Sequence, residues 1–223
     1  MGHRDTIRQQ SQQNRHLITY DDPRSPISEQ YRTIRTNIQY ASVEEELRAI
    51  LVTSAGAGDG KSTTVGNLAV VMAQQGNKVL LMDTDLRKPT VHYIFKQSNN
   101  RGLTNILTHQ KRLEECTLTT EVENLYILPS GPIPPNPAEL LGTKTMHELV
   151  EETLQYYDFV LFDSPPVFAV TDAQILTDYC DGVVLVVSSG KTGREEAVLG
   201  VVLNEKSRSK TTTIITMEKS NTK

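Results

Sequence analysis

Five short stretches of the chain are apolar at nearly every position: Ala49–Val52, Lys78–Met82, Leu125–Leu128, Asp158–Phe162 and Gly182–Val187. Runs of this length without polar alternation predict strands covered on both faces, as in a parallel sheet. Between them the period changes. After Ser25-Pro26, a helix start signal, Ile27, Tyr31, Ile34 and Ile38 recur at spacings of four, three and four, which predicts an amphipathic helix. Thr63–Ala73 predicts a second helix closed by Gly76, and Ala138–Tyr156 a long third one. Gly102–Leu107 and Thr171–Gln174 predict shorter pieces, and the prolines of Ser130–Pro137 a stiff extended connection. Strands alternating with helices and no internal repeat predict an α/β fold, a doubly wound and mostly parallel sheet of about five strands. Residues 1–20 are polar, carry Arg4, Arg8 and Arg15, and lack periodic apolar positions, so they read as a mobile tail.

Composition narrows the class. The 223 residues are 37% apolar, enough for a single sizeable core. A net charge of −4 does not favour a nucleic-acid partner. No apolar run approaches the ~20 residues needed to span a bilayer and no secretory segment follows the N-terminus, so a cytoplasmic chain is expected. Cys116 and Cys180 have no metal-binding spacing and are expected to be reduced.

The chemistry concentrates after the first strand, in Ala55-Gly56-Ala57-Gly58-Asp59-Gly60-Lys61-Ser62. Strand, glycine-rich turn and helix in that order make a G-x-x-x-x-G-K-[ST] sequence a phosphate cradle, here with Ala55 at the first motif position. Backbone N–H groups of Gly58, Asp59, Gly60, Lys61, Ser62 and Thr63 converge with the helix N-terminus on an anion. Lys61 reaches the outer phosphates, and the Ser62 hydroxyl can hold magnesium.

Acids follow at the ends of two later strands. Asp83 and Asp85 close the second apolar run, and Asp163 closes Asp158–Phe162, about 100 residues after the phosphate loop. Ligands gather beyond the carboxyl ends of parallel strands, so all three acids are expected beside the phosphates. If the chain stays extended, Asp83 and Asp85 point to the same side. On the first helix, Glu29 and Arg32 project away from the apolar stripe and Arg35 lies on its flank, which offers one acid and two guanidinium groups outward.

With these pieces in place, the sequence resembles the bacterial tyrosine kinases that control capsule and exopolysaccharide synthesis, in the form where the kinase is a separate cytosolic chain. The resemblance runs from about Ser25 to Lys210. It rests on Ser28–Arg35, the phosphate loop, Leu81–Pro89, Ser130–Leu140 and Phe162–Pro166. The resemblance implies a P-loop fold shared with the partition and division-site ATPases, although the additional lysine typical of those proteins is absent from Ser54-Ala55-Gly56. It implies ATP and Mg²⁺ as cofactors, with Lys61 on the β and γ phosphates, and Ser62, Asp85 and Asp163 placing the metal. Asp83 would be the catalytic group that accepts the tyrosine proton. Glu29, Arg32 and Arg35 match the family's subunit-contact motif, which implies a homo-oligomeric ring. The implied partners are protein-tyrosine substrates and a membrane-anchored polysaccharide co-polymerase that activates the kinase and recruits it to the inner face of the membrane. A nucleotide-binding switch with little kinase turnover and a partition-type ATPase remain alternatives.

Two features depart from the family pattern. Only Lys191–Val198 lie between Ser189-Gly190 and Leu199–Asn204, where the family has a full helix and a parallel crossover usually needs about a dozen residues. The segment that follows is therefore expected to be displaced or to continue the preceding helix. The kinase domain is assigned to 21–203, and residues 204–223 form a tail without the family's tyrosine cluster. None of the eight tyrosines lies beyond Tyr179. Thr211–Glu218 coded as ACT ACT ACT ATT ATT ACT ATG GAA reads, two bases later, as a run of tyrosines and a glycine. A frameshift is thus the expected origin of the threonine–isoleucine tail.

Overall fold

The computed structural model describes residues 16–41 and 47–187. The short connection at 191–198, the tail at 204–223 and residues 1–15 lie outside the described residues. Fifteen elements follow in order. The helices are α1 (Ile18–Asp21), α2 (Pro26–Ala41), α3 (Lys61–Ala73), α4 (Val91–Ile94), α5 (Leu103–Leu107), α6 (Leu113–Cys116), α7 (Pro137–Leu141), α8 (Lys144–Tyr156) and α9 (Asp172–Thr177). The strands are β1 (Ala49–Ser54), β2 (Val79–Asp83), β3 (Leu118–Thr119), β4 (Leu125–Leu128), β5 (Phe159–Asp163) and β6 (Gly182–Val186). Among the described residues no helix is long and apolar enough to cross a membrane.

The strands form one sheet in the order β3-β4-β2-β5-β1-β6. All neighbours are parallel except β3 and β4. The five apolar runs thus become the five parallel strands, and the two-residue β3, too short to show a period, joins at the edge. β1 and β2 are buried at every position. Their side chains alternate between two cores, as strand geometry requires. Ile50, Val52, Val79, Leu81, Ile127 and Leu161 face one core with α2 and α3. Leu51, Leu80, Met82, Leu128, Val160 and Phe162 face the other, with Leu103, Leu113, Leu141, Met146 and Leu176 of α5 to α9. Helices on both faces make the sheet doubly wound.

The stripe of α2 packs as expected, with Tyr31, Ile34 and Ile38 buried and Ile27 partly so. Two boundaries need correction. The mobile tail does not extend to residue 20. Thr19 of α1 is fully buried, and both its N–H and its hydroxyl donate to Asn67 Oδ1, at 3.0 and 2.8 Å. Leu17 packs against Gly66, where a Cβ would come within 3.2 Å of it. The long helix at 138–156 is in fact two. Thr143 takes an extended conformation and its hydroxyl accepts the Met146 N–H, so α8 starts afresh after Gly142 ends α7.

Candidate active site

The loop between β1 and α3 turns twice through left-handed backbone, at Gly58 (φ 87°) and Gly60 (φ 86°), conformations that a side chain would strain. Gly60 stands at the N-cap of α3, so the helix opens with Lys61, Ser62 and Thr63. Asp59 Oδ2 accepts the Gly56 N–H at 2.7 Å and closes the loop from inside. The six residues assigned to the cradle are therefore contiguous at one helix N-terminus, where free N–H groups and the helix dipole favour an anion.

Sheet register brings the acids in. Asp83, last in β2, is the register partner of Asp163, last in β5. Asp163 Oδ1 lies 3.3 Å from Lys61 Nζ, and Asp85 Oδ2 lies 3.1 Å from it. Lys61 Nζ also donates to Ser62 Oγ at 3.1 Å. The chain leaves the sheet at Asp83, which ends the alternation that would give Asp83 and Asp85 a common side. Asp83 Oδ2 accepts the N–H groups of Thr90 and Val91, at 2.9 and 3.0 Å, while its Oδ1 is buried without a hydrogen-bond partner.

Burial sets the electrostatics. It pushes the Asp83 carboxyl up to about 8, with the Asp163 charge adding to the effect and the Val91 N–H opposing it. Burial raises Asp163 as well, against the pull of Lys61 and Ser62. It would lower Lys61, but Asp163 and Asp85 outweigh it and hold the ammonium above its ordinary value.

Thr90 is a site residue that motif reading missed. Its hydroxyl donates to Ser62 Oγ at 2.8 Å and lies 3.4 Å from Asp163 Oδ2. A threonine just before a helix start was the one available signal. Glu29, Arg32 and Arg35 do not join this cluster. Glu29 and Arg32 pair with each other, and Arg32 also donates to the Pro23 carbonyl. Arg35 is not offered outward: it donates to the Val71 carbonyl of α3, and its Nε is buried without a partner. A cavity of about 640 Å³ between α1, α4 and Thr120–Val122 contains none of the assigned site residues.

Ser62, Asp85 and Asp163 offer only oxygen, the ligand class that magnesium takes, and the Lys61 ammonium already stands as a cation between the two carboxylates. Among the described residues no three His, Cys, Asp or Glu side chains form a cage of their own. That donor set fits an ion held by one or two carboxylates together with phosphate oxygens.

Residues 47–217 match the model of the AAA domain family AAA_31. Tyrosine-protein kinase YwqD of Bacillus subtilis (strain 168) is 51% identical over 213 residues, 90% of each chain. The putative tyrosine-protein kinase CapB of Staphylococcus aureus is 40% identical, over 85% of this chain and 89% of that one. The chain belongs to the bacterial tyrosine-protein kinases. Its enzyme class is accordingly a phosphotransferase, on a nucleotide-binding P-loop fold. The crystal structure of the chimerical protein CapA2B2 superposes on this kinase with a TM-score of 0.77 at 45% identity, covering 79% of this chain and 78% of that one.

Proposed function

We propose that the chain transfers the γ-phosphoryl group of ATP to the hydroxyl of a protein tyrosine, with magnesium, in the control of capsular or exopolysaccharide synthesis. The observation that carries this reading is the meeting of Lys61 with Asp85 and Asp163 at the N-terminus of α3, beside Asp83, whose Oδ1 makes no hydrogen bond within the described residues.

The residues divide the work. The amides of Gly58 to Thr63 cradle the phosphates, and Lys61 turns from its two acids toward the outer oxygens. Ser62, Asp85 and Asp163 hold the metal, which when bound neutralises phosphate oxygens as charge develops in transfer. Asp83, buried in the nucleotide-free chain, keeps one oxygen on two backbone N–H groups, and the other accepts the proton of a tyrosine hydroxyl once the substrate has entered the site. Its raised proton affinity suits that role, because a base works best with a pKa near the working pH. Positioning and charge neutralisation supply most of what phosphoryl transfer needs.

The kinase domain spans 21–203 in this reading, extended at its start by the packed residues around Thr19. Glu29, Arg32 and Arg35 on α2 contribute to assembly of a ring. A membrane-anchored co-polymerase activates the chain and draws it to the inner face of the membrane. The full chain is tested with labelled ATP, Mg²⁺ and a tyrosine-bearing substrate, with and without a cytosolic fragment of a candidate activator. Phosphotyrosine is the expected product; free phosphate without phosphotyrosine would point instead to a partition-type ATPase.

A further inference from the structure

Outside the cluster around Lys61, one part-buried ion pair joins two segments that are 85 residues apart in sequence. Arg87 Nε donates to Asp172 Oδ2 at 2.9 Å, and Arg87 Nη2 donates to Asp172 Oδ1 at 3.0 Å. The Asp172 side chain is fully buried, whereas that of Arg87 is 40% exposed, so the guanidinium closes over the carboxylate from the solvent side. We infer that the Arg87–Asp172 pair is a positioning device that sets the separation of Asp85 from Asp163, and hence the affinity of the site for its divalent ion. This inference rests on the kinase reading above.

Each end of the pair is attached to one of the two acids. Arg87 lies within the turn from Asp85 to Lys88, which the Lys88 N–H closes on Asp85 Oδ1 at 3.0 Å. That bond occupies one carboxylate oxygen and leaves Oδ2 directed at Lys61. Asp172 opens α9, at the end of the loop that starts from Asp163. The same loop is bound to β1 through Ser164 N–H to the Val52 carbonyl, Val167 N–H to the Ser54 carbonyl, and the Thr53 hydroxyl to the Pro165 carbonyl. The Asp163 side is thus fixed to the sheet. The residue before Asp85 is anchored there as well, since the Thr84 N–H and hydroxyl both donate to the Asp163 carbonyl, at 2.9 and 2.8 Å. Beyond that anchor, Arg87 ties the turn that carries Asp85 to the far end of the Asp163 loop.

The chemistry of the pair favours geometry over bulk stability. Such a pair adds little bulk stability, because the carboxylate has lost its hydration while water screens the half-exposed guanidinium. Two parallel N–H···O bonds from one guanidinium nevertheless fix its plane against the carboxylate, which a lysine cannot do. Residues that orient metal-binding carboxylates typically change metal affinity by about 10- to 100-fold when replaced.

The test measures Mg²⁺-dependent binding of a fluorescent ADP to the full chain, with melting curves recorded in parallel. Arg87→Lys keeps the charge and loses the fork; Asp172→Asn keeps the shape and loses the charge. Each is expected to raise the half-saturating Mg²⁺ concentration by about tenfold, with ADP affinity in excess chelator unchanged. The double variant should be no worse than either single one, since the two residues act as a unit. A lower melting temperature with the Mg²⁺ requirement unmoved would overturn the inference and leave a purely structural pair. Equal losses with and without Mg²⁺ would overturn it as well. Wild-type protein that binds no nucleotide at all would bring down the kinase reading itself.

Discussion

Asp83 and Asp163 are register partners at the ends of adjacent strands, yet only Asp163 is paired with Lys61; Asp83 is held by the amides of Thr90 and Val91. Two carboxylates brought together in a buried site, with one lysine nearby, cannot both be charged without cost. The site is therefore built against its own stability when nucleotide and metal are absent, a familiar trade at functional positions.

The first prediction follows from the sign of that conflict. Asp83 has an ordinary value of 3.8 and is raised to about 8 in the folded chain. Below the lower value both folded and unfolded chains hold the proton, and its contribution to stability is fully present. As pH rises toward the higher value, the folded chain still holds a proton that the unfolded chain has released, so stability falls across that window. Asp83→Asn stays neutral and can still accept both N–H groups. The metal-free variant should melt above wild type at pH 8 by about 2–4 °C for each kcal/mol relieved, with little difference at pH 4. Melting curves in chelator that run parallel at both pH values would contradict this.

Much of this arrangement is legible in the sequence, for a physical reason. Strands covered on both faces must be apolar throughout, so Ala49–Val52, Val79–Met82 and Val160–Phe162 declare themselves, and the acids that end them are conspicuous by contrast. The contiguous cradle from Gly58 to Thr63 needs no tertiary information. Thr90, Arg87 and Asp172 act across long sequence separations, and no local period marks them. The break at Gly142-Thr143 does carry a local signal, a glycine and an N-cap threonine within the five-residue step from Leu141 to Met146, which a reading of one continuous helix passes over. The packing of α1 depends on Thr19 meeting Asn67, a polar contact to which hydrophobic periodicity is blind.

Lys61→Met should remove phosphotyrosine formation by at least about 100-fold, the scale seen when a donor to the reacting oxygens is lost. It also leaves Asp85 and Asp163 without their shared cation. The metal-free variant should consequently melt below wild type, and Mg²⁺ should recover more of the loss than it adds to wild type. Labelling at the wild-type rate would remove Lys61 from the site.

Thr90 makes two separable contributions. Its backbone N–H holds Asp83, and its hydroxyl holds Ser62. Thr90→Val keeps the first and deletes the second, whereas Thr90→Ser keeps both. Transfer at limiting Mg²⁺ should fall by about tenfold in the valine variant, as expected for a group that orients a metal ligand, and stay close to wild type in the serine variant. Equal rates in the two would mean that the hydroxyl contributes nothing through Ser62.

The three charges of α2 should separate into two classes. Glu29 is exposed and pairs with Arg32 one turn away, an arrangement worth a few tenths of a kcal/mol to the fold. Arg35 instead donates to the Val71 carbonyl and covers the end of α3, so its loss exposes a buried acceptor at about 1–3 kcal/mol. Glu29→Ala is expected to leave the melting temperature unchanged and reduce the assembled mass in light scattering. Arg35→Ala should lower the melting temperature even at concentrations where the chain is monomeric. Were both variants to weaken assembly with no thermal effect, Arg35 would have to turn outward in the oligomer; were neither to change the mass, α2 would lie outside the subunit contact.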